Sequence, residues 1–63
     1  MQFQSYFVTA MQDLGKHSVE CEPKDADFWG LYGVGLDCGH AYAIGDFSTK
    51  TEAMFIKDAI EAS

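Results

Sequence analysis

Residues 28–36, which read FWGLYGVGL, are apolar on both of the alternating sides that a β-strand presents. The large residues of this stretch divide between the two sides, with Phe28, Tyr32 and Val34 on one and Trp29 and Leu31 on the other. A strand that is apolar on both sides is typical of the centre of a sheet, where both faces are covered. The glycines within it indicate bends or places of close packing against the backbone. The sequence therefore predicts a β-sheet built around residues 28–36.

Two further strands are predicted on either side of this one along the chain. Residues 40–47 (HAYAIGDF) follow the sequence DCG, which suits a hairpin turn with Gly39 at positive φ. Residues 16–22 (KHSVECE) alternate Val19 and Cys21 with polar residues, the pattern of an edge strand with one wet face. We expect these strands to pair with residues 28–36 in an antiparallel sheet.

A helix is predicted over about residues 50–62. Thr49 and Glu52 have the three-residue spacing of a capping box, in which each residue satisfies a backbone N–H of the first turn. The residues that follow form one apolar side at helical spacing: Ala53, Phe55, Ile56, Ala59 and Ile60. The charged residues of the segment fall on the opposite side.

The first segment is compatible with helix or strand. Phe3, Phe7, Met11 and Leu14 recur at helical spacing, and Gly15 suits a helix end. The composition of QFQSYFVTAM is nevertheless rich in strand-forming residues. We predict a helix over residues 3–14. The predicted fold is α+β in the order α-β-β-β-α, a three-stranded antiparallel sheet with helices on one face; the alternative is a four-stranded sheet with one C-terminal helix.

Length and charge narrow the classes of partner. The 63 residues make a single small domain, and ten carboxylates oppose four lysines with no arginine, for a formal net charge of −6. Direct binding to nucleic acid needs clustered Lys and Arg, and anionic membranes attract the same residues, so both partners are disfavoured. The first residues lack the charge and apolar run of a signal peptide, which predicts a cytoplasmic protein with reduced cysteines.

Two histidines and two cysteines are the only candidates for site chemistry. A Cys₂His₂ zinc site would use His17, Cys21, Cys38 and His40, but their spacing, H-x₃-C…C-x-H, lacks the C-x₂₋₄-C knuckle of structural zinc sites. A Cys21–Cys38 disulfide suits an oxidising compartment, and a Cys38–His40 nucleophile pair needs a concave pocket that so short a chain hardly provides. We predict Cys21 packed inside, no metal or other cofactor, and no catalysis.

Acidic and aromatic side chains are the predicted partner-binding residues. The stretch ECEPKDAD (20–27) concentrates carboxylates in one loop, and aromatic side chains without obvious cover follow it. Exposed aromatic patches commonly mark protein interfaces. The predicted binding residues are Glu20, Glu22, Asp25, Asp27, Trp29, Tyr32 and Tyr42.

The second half of the chain resembles the strand-strand-helix core of small uncharacterised phage and plasmid proteins. The resemblance rests on a W-x-x-Y strand at residues 29–32, an I-x-D-F strand end at 44–47 and a T-K-x-E-A helix start at 49–53. Residues 21–62 are also similar to HicB-type antitoxins in their strand-helix order and in an E-A…A-I-E helix, although the LPGC segment of that family is absent. The first resemblance implies no known activity; the second implies an antitoxin that binds an RNase toxin.

Together these features predict a small acidic protein that is not an enzyme and acts by binding another protein. The predicted partner is basic, and the predicted role is to inhibit or modulate a host or nucleic-acid-processing protein on behalf of a mobile element. The alternatives are a structural homodimer, an antitoxin-like partner of an RNase toxin and a zinc-stabilised Cys₂His₂ domain.

Overall fold

The structure, a computed structural model, describes residues 3–62. The elements are β1 (Phe3–Asp13), β2 (Ser18–Glu20), β3 (Phe28–Gly35), β4 (Ala41–Phe47) and α1 (Lys50–Ala62). A short 3₁₀ turn, Pro23–Asp25, lies in the connection from β2 to β3. The strands form one antiparallel sheet in the order β2-β1-β3-β4. The fold is therefore α+β with a four-stranded sheet and one C-terminal helix.

The predicted helix over residues 3–14 is wrong, and so is the α-β-β-β-α order with its three-stranded sheet. This segment is strand β1, which pairs with β3 along its length, from Phe3 opposite Gly35 to Met11 opposite Phe28. The alternative, a four-stranded sheet with one helix, is confirmed. The physical reason is that β1 has strand neighbours on both edges, and these pairings outweigh the local helical spacing of its apolar residues.

The remaining elements agree closely with the prediction. Strands β3 and β4 lie within the predicted ranges 28–36 and 40–47, and α1 covers 50–62. Gly39, in the hairpin between the two strands, has the expected positive φ of 70°. Strand β2 is the predicted edge strand, shortened to three residues that are all exposed, but it pairs with β1 and not with β3 as expected, because β1 occupies that edge of β3.

One face of the sheet carries the helix. Leu31 of β3 and Ala53 of α1 are both completely buried, and α1 also contacts β1 and β4. Residues opposite one another in paired strands share a face, so Val8 and Ala10 of β1 lie on the same face as Leu31 and Trp29. The helix therefore packs across three of the four strands, and no element of comparable size packs on the other face within residues 3–62.

A glycine on the helix face makes room for side chains from both neighbouring strands. A Cβ atom on Gly33 would lie 2.6 Å from Cδ1 of Phe3 and 3.0 Å from Cδ1 of Ile44. The first distance is shorter than any carbon–carbon contact allows, so the Phe3 ring occupies the space that a side chain would need. This close approach is the role that the glycines of β3 were expected to have.

The N-terminus of α1 is capped as the sequence predicts. The Glu52 N–H donates to Oγ1 of Thr49 (3.1 Å), and the hydroxyl groups of Ser48 and Thr49 donate to Oε1 of Glu52 at 2.7 and 3.2 Å. These hydrogen bonds to the carboxylate, Ser48 first, hold the pKa of Glu52 below its ordinary value.

Replacing Leu31 with alanine should destabilise the fold by about 3 kcal/mol, because a fully buried leucine leaves a cavity beneath the helix. Urea unfolding followed by circular dichroism measures the change. Leu36→Ala is the matched control, since Leu36 is 53% exposed and its loss should change stability by less than about 0.5 kcal/mol. Equal effects of the two substitutions would contradict the proposed core.

Acid should weaken the cap. Because the folded-state pKa of Glu52 is lowered, the unfolded chain binds the proton more readily, and stability rises with pH. The contribution is fully present above about pH 4.5, the ordinary value, and is lost as pH falls through the folded-state pKa. Unfolding curves between pH 3 and 7 should therefore show that Glu52→Gln loses less stability on acidification than the unmodified chain.

Ser48→Ala is the control. It should reduce this loss of stability in part, and it should have no further effect on the pH dependence once Glu52 is replaced. An unchanged pH dependence in Glu52→Gln would exclude this account.

Candidate functional site

The sheet face opposite the helix presents an aromatic patch. Tyr32 of β3 lies opposite Phe7 of β1, and their rings stack with centroids 5.3 Å apart and an interplanar angle of 11°. The Tyr32 hydroxyl donates to Sδ of Met11 at 3.8 Å, a long contact that sets the direction of the phenol. Val34 lies on the same face of β3, and like both rings it is only half-buried. This open face is therefore apolar at its centre and accessible.

An acidic crossover, residues 21–27, borders the patch. It leaves β2, passes β1 and joins β3, with the Cys21 N–H donating to the Ala10 carbonyl (3.1 Å) and the Asp27 N–H to the Met11 carbonyl (2.8 Å). The two hydrogen bonds lie on opposite edges of β1, because β2 and β3 flank it. The 3₁₀ turn of the crossover contacts β1 and not α1, so the crossover passes over the open face. Met11, on that face, is accordingly only 5% exposed.

The carboxylates of the crossover produce a negative potential at the border of the patch. Burial raises the pKa of the Cys21 thiol, and the negative charges of Asp25, Asp27 and Glu22 raise it further. Lys24 offsets part of this charge through an ion pair with Glu22 at 3.6 Å, but both side chains are about three-quarters exposed, which makes the pair weak. The crossover therefore stays acidic.

One of these acids has a structural role. The Asp13 N–H donates to Oδ2 of Asp27 at 2.9 Å, so the Asp27 carboxylate fixes the end of the crossover to the end of β1. Glu22 and Asp25, which are exposed, are the crossover acids directed at solvent, and Glu20 on edge strand β2 lies beside them.

The structure divides the predicted partner-binding residues between two faces. Tyr32 and the four acids lie on or beside the open face. Trp29 lies on the helix face, where Nζ of Lys50 is 5.8 Å from its ring centroid. Tyr42 also lies on the helix face, with its ring 6.3 Å from that of Phe3. The seven residues therefore do not form one surface.

Phe7 is the member of the patch that was not predicted. Its segment was interpreted as a helix, and its contact with Tyr32 joins residues 25 positions apart in sequence. The alternation in β3, which groups Phe28, Tyr32 and Val34, was the local signal for this face.

The four candidate metal ligands lie at two ends of the sheet. His17 and Cys21 flank β2, close to the end of β1. Cys38 and His40 lie in the β3–β4 hairpin, close to the start of β1. The Phe3–Ala10 part of β1 separates them by roughly 20 Å. No cluster of three or more His, Cys, Asp or Glu within residues 3–62 is arranged to hold a metal ion. Both cysteines are free, and Cys21, predicted to be inside, is half-buried.

Cys38 contacts a phenol and not an imidazole. Its Sγ lies 3.2 Å from the Tyr42 hydroxyl, and hydrogen bonding, first from Tyr42 and then from the His40 backbone, lowers the pKa of the thiol. In turn, Cys38 raises the pKa of Tyr42. The predicted alternative of a Cys38 nucleophile with His40 as its base therefore has no support in the side-chain contacts of this hairpin.

Comparisons with protein-family models, curated proteins and solved structures find no match for this chain. The resemblances to phage and plasmid proteins and to HicB-type antitoxins stay predictions. Within residues 3–62, no helix has both the length and the apolar character needed to cross a membrane.

The two cysteines should differ in reactivity because their surroundings shift their pKa values in opposite directions. The pH midpoint of alkylation should be lower for Cys38 than for Cys21, because Tyr42 stabilises the Cys38 thiolate while carboxylates and burial oppose that of Cys21. Tyr42→Phe should raise the Cys38 midpoint and leave Cys21 unchanged. Iodoacetamide labelling between pH 6 and 10, with peptide mass spectrometry, measures both; coincident midpoints would contradict the assignment.

Proposed function

We propose that this chain is a small acidic protein-binding module without catalytic activity, and that it binds a basic protein on its open sheet face. The observation that carries the proposal is the position of the acidic crossover directly beside the Phe7–Tyr32 patch. A partner that inserts an apolar side chain against the two rings brings its own lysines or arginines next to Glu22 and Asp25.

The two parts of this surface have different physical roles. Aromatic side chains that are partly exposed on a flat sheet provide apolar contact area at small entropic cost, which is typical of interface hot spots. The carboxylates speed the encounter with a positively charged partner and select against acidic ones. A net charge of −6 supports the same preference at long range.

Nucleic-acid-processing proteins are the partner class that this chemistry favours. Their binding sites carry clustered Lys and Arg for phosphate contacts, and a row of carboxylates resembles the phosphates in charge. In this proposal the chain occupies such a site and so inhibits or modulates its owner. The proposal also includes an origin in a mobile element, which is supported by the resemblance of residues 29–62 to phage and plasmid proteins.

Neutralising the exposed acids should weaken partner binding. The test variant combines Glu20→Gln, Glu22→Gln and Asp25→Asn and leaves Asp27, which holds the end of β1, intact. The matched control combines Asp37→Asn, Asp58→Asn and Glu61→Gln, which changes the net charge equally but away from the crossover and the open face. We expect at least a tenfold loss of affinity in the test variant and less than a threefold loss in the control.

The measurement has two stages. Native mass spectrometry of the tagged chain, recovered from cells of its own source, identifies the bound protein, and titration calorimetry with that purified protein then gives the affinities at 50 and 300 mM salt. A partner that binds both variants equally, or whose affinity does not change with salt, would overturn the proposed surface.

A further inference from the structure

The outer edge of β4 has free backbone hydrogen-bonding groups. Within residues 3–62, strand β4 is at the end of the sheet and pairs only with β3. The Gly35 N–H donates to the His40 carbonyl at 2.8 Å, and bonded and non-bonded pairs alternate along an antiparallel ladder. The N–H groups of Ala41 and Ala43 therefore point away from β3, toward the free edge. Such an edge is a template for pairing with another strand.

This edge has few of the features that prevent pairing. Its seven residues, AYAIGDF, contain no proline or lysine and a single charge, Asp46. A bulge in the pairing with β3 falls at Ile44, and the strand continues beyond it to Phe47. The other edge of the sheet, β2, is only three residues long and fully exposed, which protects it.

An apolar groove runs beside the β4 edge on the helix face. It has a volume of about 440 Å³ and is lined by Phe47, Thr51, Glu52, Phe55 and Ile56. Phe55 is 70% exposed, although the sequence placed it on the apolar side of the helix. At 100° per residue, Glu52, Phe55 and Ile56 form the flank of α1 toward β4, whereas Lys50 and Lys57 fall on the opposite flank. Oε1 of Glu52 already accepts from Ser48 and Thr49.

We propose that a second copy of this chain pairs with it along β4 and forms an antiparallel homodimer with a continuous eight-stranded sheet. A two-fold axis perpendicular to the sheet, near Ile44, places the two β4 strands side by side. Both helices then lie on one face of the joined sheet, and the Phe55 and Ile56 flank of each faces the same flank of its partner. The contact is isologous, so each side chain that is exposed on one copy is covered by its equivalent.

The distribution of charge indicates that a second copy, and not a basic protein, occupies the β4 edge and its groove. Two chains of net charge −6 repel unless they meet where carboxylates are few, and the edge and groove contribute only Asp46 and Glu52. A basic protein would find its attraction at the acidic crossover, on the other sheet face and toward the other edge. This side of the molecule, which has few charges and a free strand edge, therefore fits another copy best.

The available area sets the strength expected of this dimer. Strand β4 has seven residues, so the edge that can pair is only about 23 Å long. An interface confined to this edge and the adjoining flank of α1 is small, near the lower limit of roughly 1,000 Å² for a specific interface, so we expect association at micromolar concentrations. Because the axis is perpendicular to the sheet, both open faces lie on the same side of the dimer. The dimer would then present two acidic patches to a partner together.

Replacing Phe55 with glutamate tests the contact. Phe55 is largely exposed in the single chain, so the fold should survive, while the two new carboxylates would face each other across the seam. Sedimentation equilibrium from 5 to 500 μM should give about twice the 7.0 kDa chain mass for the unmodified protein and at least a tenfold weaker dimer for Phe55→Glu. Leu14→Glu is the matched control: Leu14 is 52% exposed, lies near β2, and its replacement should leave the dimer unchanged.

Amide hydrogen exchange identifies the surface independently of any variant. Dimerisation along β4 should slow exchange at Ala43 severalfold as concentration rises from 5 to 500 μM, because its N–H gains a partner across the seam. A dimer that pairs through the open face would leave Ala43 unchanged and would overturn the proposal. So would a chain that stays monomeric at 500 μM, or a dimer that Phe55→Glu does not weaken.

Discussion

The contact of α1 with β3 is the interaction on which the rest of the molecule depends. Leu31 of β3 and Ala53 of α1 have no exposed surface, and Ala10 lies nearly as buried on the same face; Met11, the remaining buried apolar residue of the described chain, lies on the open face. An alanine in the first turn of the helix lets it approach the sheet closely, and Gly33 lets the Phe3 ring lie over β3. Because one helix of 13 residues covers only one sheet face, the other face and the β4 edge remain accessible.

The crossover partly compensates for the missing second helix. It closes the end of the open face over Met11 with a segment of seven residues, held to β1 by backbone hydrogen bonds and by the Asp27 carboxylate. Covering Met11 in this way brings carboxylates to the border of the Phe7–Tyr32 patch. The same segment that completes the small core therefore also creates the charged part of the proposed binding surface.

Elements defined by local interactions were predictable from the sequence, and elements defined by distant pairings were not. Thr49 and Glu52 cap α1 across three positions, and the DCG turn joins adjacent strands, so both are visible in short windows. Strand β1 depends on β3, whose paired residues are 17 to 32 positions away, and it carries apolar residues on both faces because α1 covers one face and the crossover covers Met11 on the other. It therefore shows none of the alternation that identifies a half-buried strand. The strand-rich composition of QFQSYFVTAM was the correct signal.

In the candidate site, too, the local features were predictable from the sequence and the long-range contacts were not. The acids of residues 20–27 are contiguous, and their clustering was predictable, whereas the stacking of Phe7 on Tyr32 required the β1–β3 register. Alternation along β3 placed Trp29 and Tyr32 on opposite faces, but it contains no information about which face the helix covers.

The distribution of charge over the molecule separates the two surfaces that the helix leaves free. Carboxylates concentrate at the crossover and β2, while the β4 edge and its groove hold two, one of which is engaged by the helix cap. An acidic chain that used one surface for both a basic partner and its own copy would face competing electrostatic demands, since the charge that attracts the first repels the second. Placing acids on the open face and apolar groups at the β4 edge removes this conflict. The proposed dimer and the proposed partner complex are therefore compatible on the same molecule.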